Sequence, residues 1–344
     1  MAASDRAHLD ILVPDLLRAL ERAWPNAPAR RLADVLARAT RQPIASPDYE
    51  HALLALCGIA DTSAVDGSPA LAGVSATSDL GLPAAAVPTG LVRADPVHLR
   101  ADATRLVLFD AVTVGLDDDE ADALLALLNE AFAADGHVFR RGAAATRWYV
   151  ELGFCPATPG ASPARLRGAP LAPDAQARRA HAGLERLLTE VQMVLYECPV
   201  NAARERAGKA PINSIWPWGG GALPRPQHPR LSCVVSSDFL ARACAVHAGT
   251  PVVETLAGLA RALHAPRGRL AVICAPDSDE AQPDRFVADV LEPALAALHG
   301  GRLGSIVLHC ADGGFQVSRW SRWRLWRGGA ALIATRRALH AAEA

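Results

Sequence analysis

Three short apolar runs, each ending in an acid, constrain this chain more than anything else in it. They are ILVPD, closing on Asp15; LAVICAPD, closing on Asp277; and SIVLHCAD, closing on Asp312. Runs this apolar, with no polar alternation, read as strands buried on both faces, the habit of a parallel sheet covered by helices. Helical spacing at 16–24, 30–40, 238–247, 254–264 and 284–298 alternates with them, so the expected class is α/β with a mostly parallel sheet flanked by helices. Ligands of such sheets collect outside the carboxyl ends of the strands. Asp15, Asp277 and Asp312 are therefore candidate ligands for a divalent cation, a hard ion that takes oxygen donors. Each acid by itself also suits a helix or turn cap.

The chain has 344 residues, about two domains' worth. His51–Leu56 reads as a helix stopped by Gly58, 61–90 as a long loop on the active face, and 105–114 as a strand. At Leu116 the character changes. Asp117, Asp118 and Asp119 precede a helix whose first turn they suit electrostatically. Strands at 137–139 and 147–152, a Pro/Gly-rich linker at 155–175 and a helix at 176–198 complete a small α+β block. The expected division is a discontinuous core, 1–115 with 199–344, carrying an inserted domain at 116–198.

The 35 basic and 36 acidic residues leave a formal charge of -1, which argues against nucleic acid as a partner. No run is apolar and long enough to span a membrane, and the start MAASDRAHLD lacks a signal-peptide core. Seven scattered cysteines without a CxxC pair read as reduced, buried thiols. A cytoplasmic protein is expected.

The stretch CPVNAARERAGKAPINSIWPWGGG, Cys198 to Gly221, is the most distinctive in the chain. It resembles a run in the cofactor-independent phosphoglycerate mutases, specifically the archaeal-type group of the alkaline phosphatase superfamily. LDDDEADALLALLNEAF and VFRRGAAATRWYV resemble that family's inserted domain, SSDFLARACAVHAGTPVVE its return to the core, and LAVICAPDSDEA its Ala-Pro-Asp motif. The chain also resembles a bacterial subgroup of RpfE-type regulatory proteins. The resemblance implies an alkaline-phosphatase-like core, two divalent metals, a serine nucleophile that becomes phosphorylated, and metal-ligand positions at Asp15, Asp277 and Asp312.

The departures from that pattern matter more. Ala281 stands where the family has a histidine, Gly313 replaces a second, and the tail SRWSRWRLW has none for a third. Leu16 replaces a glycine. The nucleophile aligns near Tyr49, or with a small gap at Ser46, with Ser75 and Ser78 as alternatives. With these imidazoles missing, the resemblance implies at most one weakly held divalent cation (Mn, Mg or Zn), with Asp279, Glu280, His309 or Asp284 as replacement ligands. His309, inside a strand, is expected to face the core. Arg93, Arg147, Arg204 and Lys209 are candidate anion contacts. Asn213, Trp216, Trp218 and Gly219 complete the candidate substrate wall; a structural anchor and a plain turn are the competing readings. The Arg/Trp tail reads as a strand with its tryptophans on the sheet. The expected function is a regulatory or ligand-binding homologue holding a small phosphorylated ligand and acting on a protein partner. An active mutase or phosphohydrolase with rearranged ligands is the alternative.

Overall fold

The computed structural model describes residues 6–43, 46, 48–60, 69–102, 105–154, 162–166, 170–171, 182–227, 231–276, 278–324 and 326–343. Its strands are β1 (Ala7–Leu12), β2 (Thr40–Gln42), β3 (Leu91–Asp102), β4 (Arg105–Asp110), β5 (Val138–Arg141), β6 (Trp148–Glu151), β7 (Pro170–Leu171), β8 (Ser214–Trp218), β9 (Cys233–Val235), β10 (Val252–Val253), β11 (Arg269–Ile273), β12 (Leu303–Cys310) and β13 (Gly313–Val317). The chain divides into two units, Met1–Ala60 with Pro226–Ala344, and Asp61–Arg225.

The first unit is a mixed α/β layer structure. Its seven-stranded sheet runs β10-β9-β11-β1-β12-β13-β2. The first five strands are mutually parallel, and β13 and β2 pair antiparallel at one end. The runs read as buried strands are β1, β11 and β12. Helices Leu16–Ala23 and Ala27–Arg38 follow β1, and a continuous helical stretch, 283–299, follows β11. Their apolar faces (Leu16, Leu20, Leu32, Leu36, Phe286, Val290) close over Leu9, Ile11, Val272 and Ile306 as one core. Helix Tyr49–Cys57 ends at Gly58, whose φ of 70° gives the left-handed cap that glycine adopts without strain. No helix among the described residues is long and apolar enough to cross a membrane.

The second unit has its own sheet, β5-β6-β3-β4-β7, with β8 paired to β3. Helices Asp118–Ala131 and Ala182–Tyr196 lay Leu124, Leu128, Leu187 and Val191 against Val92, Trp148, Val150 and Ile215. The helix at 118 starts with a full capping box between Asp117 and Glu120.

This unit is wider than the 116–198 block expected from sequence, because β3 is its central strand. β3 takes β6 at Leu91–Arg93, β4 at Val97–Asp102 and β8 at Arg93–Val97. Pro96, which cannot donate to a ladder, falls between the stretches paired to β6 and β4.

Three local expectations change. Within the expected loop 61–90, Leu71–Asp79 is a helix with Leu71, Val74 and Ser75 buried; 61–68 lie outside the described residues. The strand at 105 stops at Asp110, whose Oδ1 accepts from Thr113 N (2.9 Å) and Thr113 Oγ1 (2.5 Å) and so turns the chain. The Arg/Trp tail forms no strand at its described residues: Ser321–Trp323 is a 3₁₀ turn, and Trp320, Trp323 and Trp326 are 64%, 60% and 78% exposed. β13 already pairs with β12 on one side and β2 on the other, which leaves the tail no place beside it in the sheet. A last helix, Gly329–Glu343, follows.

Candidate functional site

The carboxyl ends of β1, β11 and β12 are stitched together beyond their ladders. Cys274 N donates to Leu12 O (2.9 Å), Val13 N to His309 O (3.0 Å) and Ala311 N to Pro14 O (3.1 Å). The last of these bonds holds the Pro14-Asp15 step beside the Ala311-Asp312 turn. Two of the three strand-end acids are thereby brought to one edge; Asp277 lies outside the described residues.

Asp15 occupies the N-cap position of helix Leu16–Ala23, yet its side chain makes no capping hydrogen bond. Its charge acts on the Cys310 thiol, as do Asp312, Arg336 and Arg41. Burial, reinforced by the Asp312 carboxylate and partly offset by the two arginines, pushes that thiol up to about 12, so it stays protonated. Asp312 sits in the turn between β12 and β13. Its Oδ2 accepts from Arg336 Nη2 at 2.8 Å, while Arg336 Nε donates to Glu21 Oε1 at 2.5 Å. Arg336 comes from the last helix and is buried. Burial opposes its charge, and the bonds to Asp312 and Glu21 more than offset this, raising its pKa.

Arg41, on β2, lies over the Phe315 ring, 4.3 Å from its centroid. A Cβ added at Gly313 would stand 3.0 Å from Arg41 Nη1. A guanidinium thus occupies the space that adjoins Gly313.

A small cleft opens at this edge, lined by Pro14, Ser46, Asp48, Tyr49, His309 and Gly314 among others. Of the nucleophile candidates, Ser46 and Tyr49 line the cleft, and the Ser46 hydroxyl accepts from Asp48 N at 3.3 Å. Tyr49 donates its hydroxyl to Asp238 Oδ2 (2.8 Å), and burial raises its pKa well above the usual phenol value. Ser75 is buried in the second unit and donates to Ala72 O (3.0 Å); Ser78 is exposed on the same helix.

His309 and Asp10 form a pair with no precedent among the expected site residues. His309 Nε2 lies 2.8 Å from Asp10 Oδ1, and Arg269 donates to both Asp10 oxygens at 2.5 and 2.9 Å. His309 therefore turns towards a buried carboxylate rather than the apolar core. Burial pushes the Asp10 carboxyl up, but the bonds from His309 and Arg269 outweigh it and hold the pKa below the ordinary value. The signal was present in sequence: an acid inside an apolar strand is costly unless paired.

The described donors do not fit a two-metal centre. Asp312 is engaged by Arg336 and His309 by Asp10, and no three His, Cys, Asp or Glu side chains group together among the described residues. Two oxygens beside position 277 are buried without a hydrogen-bond partner among those residues, Ser278 Oγ and Glu280 Oε2. Asp279 falls in the same 3₁₀ turn as Glu280, and Asp284 accepts from Asn26 Nδ2 at 3.4 Å.

The expected substrate wall lies in the second unit and is wired internally. Arg93 is buried, donates to Asp95 Oδ1 through Nε (3.0 Å) and Nη2 (2.6 Å), and sits between the Tyr149 and Trp218 rings. Trp218 Nε1 donates to Asp95 Oδ2 (2.7 Å), and Trp216 is fully buried. Arg147 grips Asp79 through Nε (2.8 Å) and Nη2 (2.9 Å). Asn213 exchanges side-chain bonds with the Leu99 backbone, 2.8 Å each way. Gly219, at φ 67°, accepts from Ala72 N at 2.7 Å. Arg204 donates to the carbonyls of Val114, Gly115 and Ala210 and to Glu120, and Lys209 reaches Glu120 at 3.2 Å.

No protein-family model matches the chain. A stretch of 73 residues is 37% identical to the 2,3-bisphosphoglycerate-independent phosphoglycerate mutase of Methanosarcina barkeri, covering 20% of this chain and 18% of the mutase. Two solved structures are similar at 16% identity. The cofactor-independent phosphoglycerate mutase of Thermoplasma acidophilum has a TM-score of 0.40, over 91% of this chain and 90% of that one. A Pyrococcus horikoshii protein has a TM-score of 0.47, over 91% and 86%. The chain is thus phosphoglycerate-mutase-like over a segment that spans less than a fifth of the curated mutase's length.

Proposed function

We propose that this chain is a phosphoglycerate-mutase-like regulatory protein, of the RpfE type, with an alkaline-phosphatase-like core. It binds a small phosphorylated ligand in the cytoplasm and acts through a protein partner instead of turning that ligand over. One observation carries the reading. At the edge where the resemblance asks for cationic metal and histidine ligands, Arg336 neutralises Asp312 and Arg41 adjoins Gly313. A guanidinium can offset a carboxylate and bind an anion, but it cannot polarise a water or a serine as a metal does. Arg41, beside Gly313, is the cation that would attract a phosphate to the cleft by Ser46. Any remaining cation would be single and weakly held, with Glu280 and Ser278 supplying oxygens next to Asp277.

The test is elemental analysis after loading with Mn²⁺ and Zn²⁺ and exhaustive dialysis, paired with assay on 3-phosphoglycerate and calorimetric titration of that ligand. The expected result is no stoichiometric metal, no turnover, and binding that survives Ser46→Ala. Two retained ions per chain, about the complement of a two-metal phosphoryl-transfer enzyme, or turnover lost in Ser46→Ala, would establish the active-enzyme alternative.

A further inference from the structure

The first unit carries a second, open cleft between helix Ala27–Arg38, the end of helix Glu292–His299 and the turn after β13. It is lined by the arginines Arg38 and Arg322, by His299, and by the aliphatic Val35, Leu295 and Val317. Arg31 also lines it, already balanced by Glu292 at 2.7 Å. Arg38 has no such balance: its Nε is buried without a hydrogen-bond partner among the described residues. A buried guanidinium N–H left unmade is costly, so a ligand acceptor there would repay it. The turn that supplies Ser318, Ser321 and Arg322 to the cleft also displays Trp320, Trp323 and Trp326, the most exposed indoles of the first unit. Arg319 stacks over Trp320 (4.9 Å to the ring centroid) and Arg322 over Trp323 (5.0 Å).

We infer that this face docks on an anionic lipid surface, the cleft taking a lipid headgroup and the three indoles entering the headgroup zone. The charges are complementary, since interleaved arginines meet lipid phosphates while aliphatic and indole surface meets the acyl boundary. Indoles with apolar bodies and a polar N–H favour that boundary. Single-stranded nucleic acid fits less well, because it needs open aromatic faces for base stacking and guanidiniums already cover one face of Trp320 and Trp323.

The experiment is co-sedimentation of the full chain, with tryptophan emission, on vesicles of zwitterionic lipid alone and of zwitterionic mixed equally with anionic lipid. Variants are Trp320→Ser/Trp323→Ser/Trp326→Ser, Arg38→Gln/Arg322→Gln and the charge-keeping Arg322→Lys, each checked for an unchanged melting temperature. Binding to the anionic vesicles is expected to be roughly tenfold or more stronger, blue-shifted in emission, weakened by salt, and lost in the first two variants but kept in the third. Three results would overturn it: equal or no binding to anionic vesicles at low salt; preference for a single-stranded oligonucleotide; or saturable binding of inorganic phosphate that the indole variant retains, which would make the cleft a free-anion site.

Discussion

Arg336 and Asp312 are 24 residues apart in sequence, yet their side chains meet at 2.8 Å, with Glu21 on the same guanidinium. Replacing Arg336 with Met takes from Asp312 and Glu21 the guanidinium that joins them. The expected loss is about 1–3 kcal/mol of stability, towards the lower end because Asp312 keeps half its surface in water. The added outcome is specific: MnCl₂ should raise the melting temperature of Arg336→Met more than that of the unaltered protein. Equal shifts would mean that the arginine does not stand where a cation could.

Asp10 predicts the shape of the acid limb. Its folded pKa lies below the unfolded value near 3.8, so in that window the unfolded chain binds more protons. Its contribution is therefore complete above the unfolded value and vanishes as pH falls through the folded one. Asp79 behaves likewise: burial opposes its charge, but bonds from Arg147, Ala143 and Tyr149 lower its pKa. Urea unfolding followed downward from neutral pH should show stability falling below about pH 4, with a shallower fall in Asp10→Asn.

The Arg93–Asp95 pair is buried on both sides. Asp95→Leu strands a charged guanidinium between two aromatic rings and should cost about 3–5 kcal/mol, whereas Arg93→Met/Asp95→Leu should regain much of it. Equilibrium denaturation of the two single variants and the double variant measures this as a coupling energy.

Asn201 and Arg204 are read together because both sit in the distinctive Cys198–Gly221 stretch. Asn201 Nδ2 donates to Leu195 O and Ile212 O (2.7 Å each), and its Oδ1 accepts from Ile212 N (2.8 Å). Asn201→Ala should cost about 1–3 kcal/mol, and Arg204→Ala, which takes the guanidinium from Glu120 and three carbonyls, about 3–5 kcal/mol. Thermal denaturation reads both; neutral variants would return the motif to a ligand-facing role.

These residues mark where sequence reading succeeded and where it stopped. β1, β11 and β12 were legible because each holds or ends in a short apolar run, 11–13, 270–273 and 306–308, that is largely buried, and helix Asp118–Ala131 because acids crowd its first turn. β3 was not, since LVRADPVHLRAD carries arginines, acids and a proline. Arg93 and Asp95 lie two apart, on one side of the strand, and neutralise each other, a relation visible only once same-side spacing is considered. Helix Leu71–Asp79, LAGVSATSD, carries Gly, Ser, Thr and Asp at five of its nine positions, poor helix formers that burial overrides. At the strand-end edge, Asp15 and Asp312 were found by their position after apolar runs. Arg336 and Arg41 were not, because tertiary contacts alone bring the last helix and β2 to Asp312 and Gly313.

The ends of the seven-stranded sheet bear on how the chain behaves in company. In the order of described strands, one border is β10, two residues long, and the other β2, three residues long with Arg41 at its middle. A border so short offers few open backbone groups, and a charged side chain there discourages a second strand from joining. The first unit is protected against sheet-to-sheet polymerisation by the brevity of its margins, and crowding at high concentration should leave it dispersed.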